Sequence, residues 1–288
     1  MTPQEVIACL LDQDEPEHNL AAIEHRQRLI KSWKIPQGSK VLEVGPGQGD
    51  FTVCLADAVG PTGQVVAVDP APLDWGTPDY RTAQGFVLRS PLGSRIQFVQ
   101  ADPIDFLDAP TTATKSFDFI VFCHSIWYFS QPSFLPTMLS KARPCVANVL
   151  IAEYSLSTSH PSAVPHVLAS LAANAVESFR GEDSKRNIRC ALTPLRMIEA
   201  AEEVGWALSH EETVTPGEKQ LDAFREVNMI LKSRLFKADM ESVQAGDKVK
   251  TMLQSMTYAV KASVDRLDGR LESVRNMDVW VARFGAKE

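Results

Sequence analysis

The sequence predicts an α/β protein built around a mostly parallel sheet. Short apolar segments recur between residues 40 and 154 and alternate with helical or loop stretches. A glycine-rich loop at residues 45–49 joins the first of these segments to a helix-like stretch. Such alternation is typical of a parallel sheet with helices on both faces. The 288 residues, 44% of them hydrophobic, are enough for one large core.

The charge and cysteine patterns disfavour several kinds of partner and of structural site. Lys and Arg number 29 against 36 Asp and Glu, and the net charge of −7 disfavours nucleic acid and anionic membranes as partners. The five cysteines are widely spaced without a C-x-x-C pair, so neither a disulfide framework nor a metal site is expected. The acidic N-terminal stretch does not resemble a secretion signal, and no apolar run reaches the roughly 20 residues of a membrane span. We therefore expect a soluble, cytoplasmic protein.

The first half of the chain is predicted to hold a helical lead-in and the core of the sheet. Residues 1–35 form the lead-in, where apolar residues from Leu20 to Trp33 have helical spacing and Pro36 ends the helix. Residues 36–156 form the sheet core. Its predicted strands are 40–44, 64–69, 95–100, 118–123 and 148–154.

The second half adds helices and two more strands. Residues 157–217 are predicted to contain helices and a sixth strand at 206–214, and residues 277–288 the last strand, at 278–284. Between them, residues 218–276 carry two apolar stripes at helical spacing, which predicts a helical hairpin insertion. Ordinary core packing is the favoured interpretation of these stripes. A lid over a site, or the contact of a homodimer, is the alternative.

The glycine loop favours a cationic ligand without phosphate. A G-x-G loop between a strand and a helix is by itself a weak sign of nucleotide binding. Here Asp50 stands where the dinucleotide fingerprint has its third glycine, and Pro46 offers no backbone N–H to a phosphate. Glu43, two residues before Gly45, would repel a pyrophosphate and attract a positive charge.

These residues resemble the first motif of the class I, Rossmann-like S-adenosylmethionine (SAM)-dependent methyltransferases. That motif is E/D-x-G-x-G-x-G, matched by Glu43, Gly45, Gly47 and Gly49. The resemblance implies a seven-stranded sheet with an antiparallel last strand, with Asp69 at the ribose hydroxyls and Asp102 at the adenine amino group. The full set of cofactor-binding residues that it implies is Glu43, Gly45, Pro46, Gly47, Gly49, Asp69, Pro70, Asp102, Pro103, His124 and Ser125.

The resemblance places the acceptor beyond the fourth and fifth strands, on the side of residues 157–217. Predicted catalytic residues are His160, His166, Glu153 and Tyr128, and predicted substrate-binding residues are Trp127, Tyr128, Glu153 and His160. The sequence after the fourth strand is HSIW rather than the N-P-P-Y-type motif of amino-methylating DNA enzymes, which disfavours DNA. We expect SAM as the cofactor, no metal, and methylation of an N, O or S atom of a small metabolite.

The sequence alone leaves two other functions open. A SAM-binding protein of this fold can catalyse a non-methylating reaction while keeping the same cofactor motifs. A binding or scaffold protein with the insertion as its interface would bind a partner stably without turnover. A nicotinamide dehydrogenase is disfavoured by Glu43, Pro46 and Asp50.

Overall fold

A computed structural model of the chain describes residues 1–11, 15–109, 116–182 and 184–287. Its strands are β1 (Lys40–Val44), β2 (Gln64–Asp69), β3 (Ile96–Gln100), β4 (Phe117–Cys123), β5 (Val146–Tyr154), β6 (Trp206–Val214) and β7 (Val279–Ala286). The α-helices are α1 (Pro3–Ile7), α2 (Pro16–Trp33), α3 (Asp50–Ala58), α4 (Tyr80–Leu88), α5 (Pro103–Asp108), α6 (Phe134–Ala142), α7 (Val164–Glu177), α8 (Pro194–Glu203), α9 (Asp222–Lys232), α10 (Arg234–Ser242) and α11 (Asp247–Val264).

The seven strands form one sheet in the order β3-β2-β1-β4-β5-β7-β6. Strands β1 to β5 are parallel, and β7 is antiparallel to both of its neighbours. The predicted seven-stranded, mostly parallel α/β fold is therefore confirmed. Val44 pairs with Val68 on one side and Phe122 on the other, so β1, β2 and β4 end level with one another. Their following loops meet at one edge, where parallel sheets bind ligands.

The lead-in helix α2 packs against α3 and β7 because one of its faces is apolar. Pro16 occupies its first turn, and Ile23, Leu29 and Trp33 are buried in the core. The same buried face carries His25, which is 5% exposed. A further helix, α1, was missed in the sequence, although Thr2 and Glu5 form a capping box there.

The insertion differs from the predicted hairpin. Three helices, α9, α10 and α11, fill the interval between β6 and β7, so the prediction of two is wrong. Ser233 ends α9 and starts α10 because its backbone is extended and its hydroxyl accepts the Phe236 N–H. Val227 on α9 and Val260 on α11 are buried in the same cluster as Ala169 of α7. These parts of the insertion are therefore core packing, whereas Leu235 and Met252 of the apolar stripes are exposed.

Within the described part of the chain, no helix is long and apolar enough to cross a membrane. All five cysteines are free thiols, and three of them are buried. Among the described residues, no three His, Cys, Asp or Glu side chains are grouped so that they could hold a metal ion.

Candidate active site

The glycine loop makes two close approaches that leave no room for side chains. All three glycines have positive φ, with values of 77° for Gly45, 55° for Gly47 and 99° for Gly49. A Cβ on Gly45 would lie 2.8 Å from the Cβ of Ser125, and one on Gly49 would lie 2.9 Å from Phe98 Cζ. The loop therefore requires glycine for both conformation and space. It presses directly against the segment that follows β4.

Glu43 lies at the end of β1, directly before this loop, and it is buried with an unsatisfied oxygen. It is 2% exposed, and none of the residues that the structure describes gives its Oε2 a hydrogen bond. Burial raises the pKa of Glu43 to about 8, against the opposing influence of the Thr52 hydroxyl and the Arg26 guanidinium. An orphaned buried carboxyl group needs an explanation, and a cationic ligand supplies one. The residues present therefore fit the ammonium end of SAM.

Asp69, at the end of β2, holds the glycine loop in place. Its Oδ2 accepts the Gly47 N–H at 3.2 Å and its Oδ1 accepts the Ala71 N–H at 2.9 Å. Burial raises the pKa of Asp69, and these two bonds oppose the rise. Tyr80 lies beside it, and burial together with the Asp69 charge raises the pKa of Tyr80 to about 12. A ribose would share the carboxylate with these backbone donors.

The segment between β2 and α4 folds over the glycine loop. Gln48 donates to the carbonyl of Pro78 at 2.6 Å, and Gln84 donates to the carbonyl of Gly47 at 2.8 Å. The cavity left beside Asp69 and Tyr80 is about 10 Å³, which is space for about one water. A nucleoside therefore fits here only after this segment moves outward.

The residues after β3 form a helix cap. Asp102 is exposed, and its Oδ1 accepts the N–H groups of Ile104 at 2.8 Å and Asp105 at 3.3 Å. Pro103 is the buried first residue of α5. The Ala101 N–H donates to the Asp69 carbonyl, so Asp102 follows directly after the edge where β2 and β3 end. Its predicted contact with adenine stays a prediction.

His124 and Ser125 follow β4 and lie against the glycine loop. His124 has a φ of 50°, and its Nδ1 lies 3.4 Å from Oε1 of Glu153. Glu153 is 1% exposed and accepts the N–H groups of Ile126 at 3.1 Å and Tyr154 at 3.0 Å. It therefore fixes the loop and faces the imidazole. The buried hydroxyl of Ser125 has no partner.

The two histidines have different positions: the ring of His166 lies 4.9 Å from that of Tyr154, between centroids, whereas His160 lies in the turn before α7. His160 caps its own turn, where its Nδ1 accepts the Ser162 N–H at 3.2 Å. His166 is fully buried, and its Nδ1 accepts the Met277 N–H at 3.0 Å. Its Nε2 therefore carries the proton and faces Glu226 Oε2 at 3.0 Å, which leaves no lone pair for a base.

The two aromatic residues after β4 have different surroundings. Trp127 is 3% exposed, and its indole N–H donates to the carbonyl of Leu192 at 3.0 Å, so it packs in the core. Tyr128 is 50% exposed. Although half of the residue is exposed, the protein packed around its phenol raises the pKa above the usual value, and the carboxylates of Glu226 and Asp222 add to that rise. These influences place Tyr128 on the side of the insertion.

Sequence reasoning missed four polar residues beside His124. Together with His124, we name them the polar cluster. The ring of His124 lies 4.5 Å from that of Tyr154 and 6.1 Å from that of His25, measured between centroids. Tyr154 donates to Asp222 Oδ2 at 2.9 Å, and Asn276 donates to the same oxygen at 3.2 Å. The cluster comprises His25, His124, Tyr154, Asp222 and Asn276. No local pattern marks these residues, because they meet only in the folded chain.

Comparison with known proteins gives this site a context. A sequence family described as a methyltransferase domain matches residues 41–148. Methyltransferase phomM of Diaporthe leptostromiformis is 26% identical, over 94% of this chain and 86% of that protein.

Solved structures share the fold over nearly the whole length. A cyclopropane-fatty-acyl-phospholipid synthase-like protein from Lactobacillus casei has a TM-score of 0.81 at 23% identity, with 98% of both chains covered. The cyclopropane synthase MmaA2 from Mycobacterium tuberculosis has a TM-score of 0.52 at 12% identity, covering 98% of this chain and 93% of that one. At these identities the structural likeness concerns the fold alone.

Proposed function

Because this chain belongs to the class I, Rossmann-like family of SAM-dependent methyltransferases, we propose that it methylates an N, O or S atom of a small molecule. The assembly of the site from separate segments supports this proposal. The polar cluster draws His25 from α2, His124 from the loop after β4, and Asp222 from the insertion. A site built from three such separate segments suits a small acceptor better than a polymer.

The cofactor would lie along the edge of the sheet from Glu43 to Asp69. Glu43 would pair with its ammonium, and the Asp69 carboxylate would accept its ribose hydroxyls. SAM supplies an activated methyl group on a sulfonium. The further contacts proposed for it are those of Pro46, Pro70, Asp102, Pro103, His124 and Ser125.

The protein's own contribution to the reaction is mainly positional. Methyl transfer is an in-line displacement, and well-oriented reactants reach effective molarities of about 10⁵ to 10⁸ M. Glu153 holds the loop after β4 through two backbone N–H groups, so His124 keeps a fixed position at the cleft. We propose Glu153 as a positioning residue, and Tyr128 as part of the acceptor wall. His160 and His166 are weaker candidates as bases, because their Nδ1 atoms already accept backbone hydrogen bonds.

Calorimetry tests the cofactor assignment. SAM and S-adenosylhomocysteine should both give binding heat, and NAD should give none. Heat with NAD alone would contradict the proposal.

An acceptor screen tests the reaction. Small amines, hydroxyl compounds and thiols are compared with protein extract and with unsaturated phospholipid vesicles, with S-adenosylhomocysteine as the readout. Turnover with a small acceptor supports the proposal. Turnover confined to protein or lipid would overturn the small-molecule part, and binding of SAM without any turnover would favour the non-methylating or scaffold alternatives.

A further inference from the structure

We propose that the acceptor is a small cationic amine and that the carboxylate of Asp222, contributed by the insertion, binds its ammonium group. This inference rests on the proposed function of the same site. It concerns the substrate class and a specificity-determining residue.

The first step is the free oxygen of Asp222. Tyr154 and Asn276 both donate to Oδ2, at 2.9 and 3.2 Å. Within the described residues, Oδ1 receives no hydrogen bond. Asp222 is exposed to solvent over part of its surface, although the protein around its carboxylate still removes water from it. A carboxylate held by one oxygen in this way presents the other to a ligand.

The second step is the charge of the carboxylate. Burial by the surrounding protein opposes ionisation of Asp222. His124, the Tyr154 hydroxyl and Arg26 outweigh that effect and hold the pKa of Asp222 below its usual value. The group is therefore negative at neutral pH.

The third step is the lack of an ion pair to Asp222 among the described residues. The basic groups around it lie closest to other carboxylates: Arg26 is 3.4 Å from Asp50, His124 is 3.4 Å from Glu153 and His166 is 3.0 Å from Glu226. His25 is neutral, since burial, followed by the charges of His124 and Arg26, lowers its pKa to about 3. Glu226 adds another carboxylate beside Tyr128. An anionic acceptor would be repelled from this wall and a cation attracted.

The fourth step is a cavity that reaches one member of the cluster. It has a volume of about 390 Å³ and lies between α2 and residues 217–219, and His25 forms part of its lining. His25 is 5% exposed. The aromatic rings of Tyr154 and Tyr128 suit a cation next to them.

The reaction balances with the groups named. The bound ammonium gives one proton to bulk water. The nitrogen lone pair then forms the new N–C bond, and the methyl C–S bond breaks with its electron pair remaining on sulfur. The products are a methylated ammonium, S-adenosylhomocysteine and a proton in the solvent.

Three isosteric probes test the charge preference: benzylamine, benzyl alcohol and benzoate. Their binding to the full chain with bound S-adenosylhomocysteine is measured by saturation-transfer NMR titration. We expect benzylamine to bind most tightly, and Asp222→Asn to weaken it about tenfold, as for loss of a charge-assisted hydrogen bond. The matched control is Asp268→Asn, an exposed carboxylate of the same insertion, which should leave benzylamine binding unchanged.

Each outcome decides the proposal. Equal or tighter binding of benzoate or benzyl alcohol by the unaltered chain would overturn it, as would a folded Asp222→Asn protein that binds benzylamine like the control. If the variant does not fold, the ranking of the three probes on the unaltered chain is decisive. Failure of the proposed function is separate, because it would be seen as no calorimetric binding of SAM or S-adenosylhomocysteine.

Discussion

The buried Glu43 should make SAM binding release a proton. Its pKa of about 8 means that the free protein carries this proton at neutral pH. An ammonium paired with it would require the ionised form. At pH 7 the cost of ionisation is RT ln(1 + 10), or about 1.4 kcal/mol, which is about a tenfold loss of affinity. The association constant should then rise about tenfold from pH 6 to pH 7.

The pH window separates this effect from titration of the ligand. An α-amino group has a pKa of about 8, so the ammonium of SAM stays mostly protonated below pH 7. Calorimetry in two buffers of different ionisation enthalpy counts the released protons, and about 0.9 proton per SAM is expected at pH 7 from this pKa. Glu43→Gln is the matched variant, because it keeps the size and removes the titration. Equal proton release by both proteins would refute the reasoning.

Three further predictions concern stability and turnover. The pKa of His25 is lowered to about 3, so its contribution to the free energy of unfolding should be full above pH 6.5 and should fall as the pH drops toward 3. Urea unfolding should therefore show a loss of about 2 kcal/mol between pH 7.5 and pH 5. This loss should be absent in His25→Gln. Equal pH curves for both proteins would contradict this. Gly45→Ala should lower the free energy of unfolding by about 1–2 kcal/mol, because Gly45 has a positive φ and an added Cβ would lie 2.8 Å from Ser125. Gly217→Ala is the control in the same thermal melts and should be nearly neutral, because no described atom lies within 4 Å of the added Cβ. Glu153→Gln should leave one backbone N–H without an acceptor and lower the free energy of unfolding by about 1–3 kcal/mol. Initial rates should show a lower kcat with little change in the KM for SAM. An unchanged kcat would exclude a positioning role.

Much of the fold could be predicted because its signals are local. The apolar runs of β1, β2 and β6 have the predicted bounds, and the other four strands differ by at most two residues at either end. The spacing from Leu20 to Trp33 likewise marks α2. In contrast, α10 begins at a single Ser233 cap inside a continuous apolar pattern, which hides the break between helices.

The candidate site could be predicted only in part. Glu43, Asp69 and His124 lie at strand ends, so the alternation of the sheet alone brings them to one edge. Asp222 and Tyr154 are 68 residues apart and meet through packing of the insertion. His25 reads as one polar residue on an apolar helix face until its neighbours across the cleft are known. Tertiary contacts of this kind leave no periodic trace in the sequence.

The proposed nucleoside site and the proposed amine site lie on opposite halves of the sheet. The small cavity beside Asp69 lies over β2 and β3, whereas the cavity beside His25 opens between α2 and residues 217–219, next to β6. Two reactants that enter from opposite directions can bind in either order. Initial-rate kinetics should accordingly follow a random order, in which either product leaves first and neither traps the other.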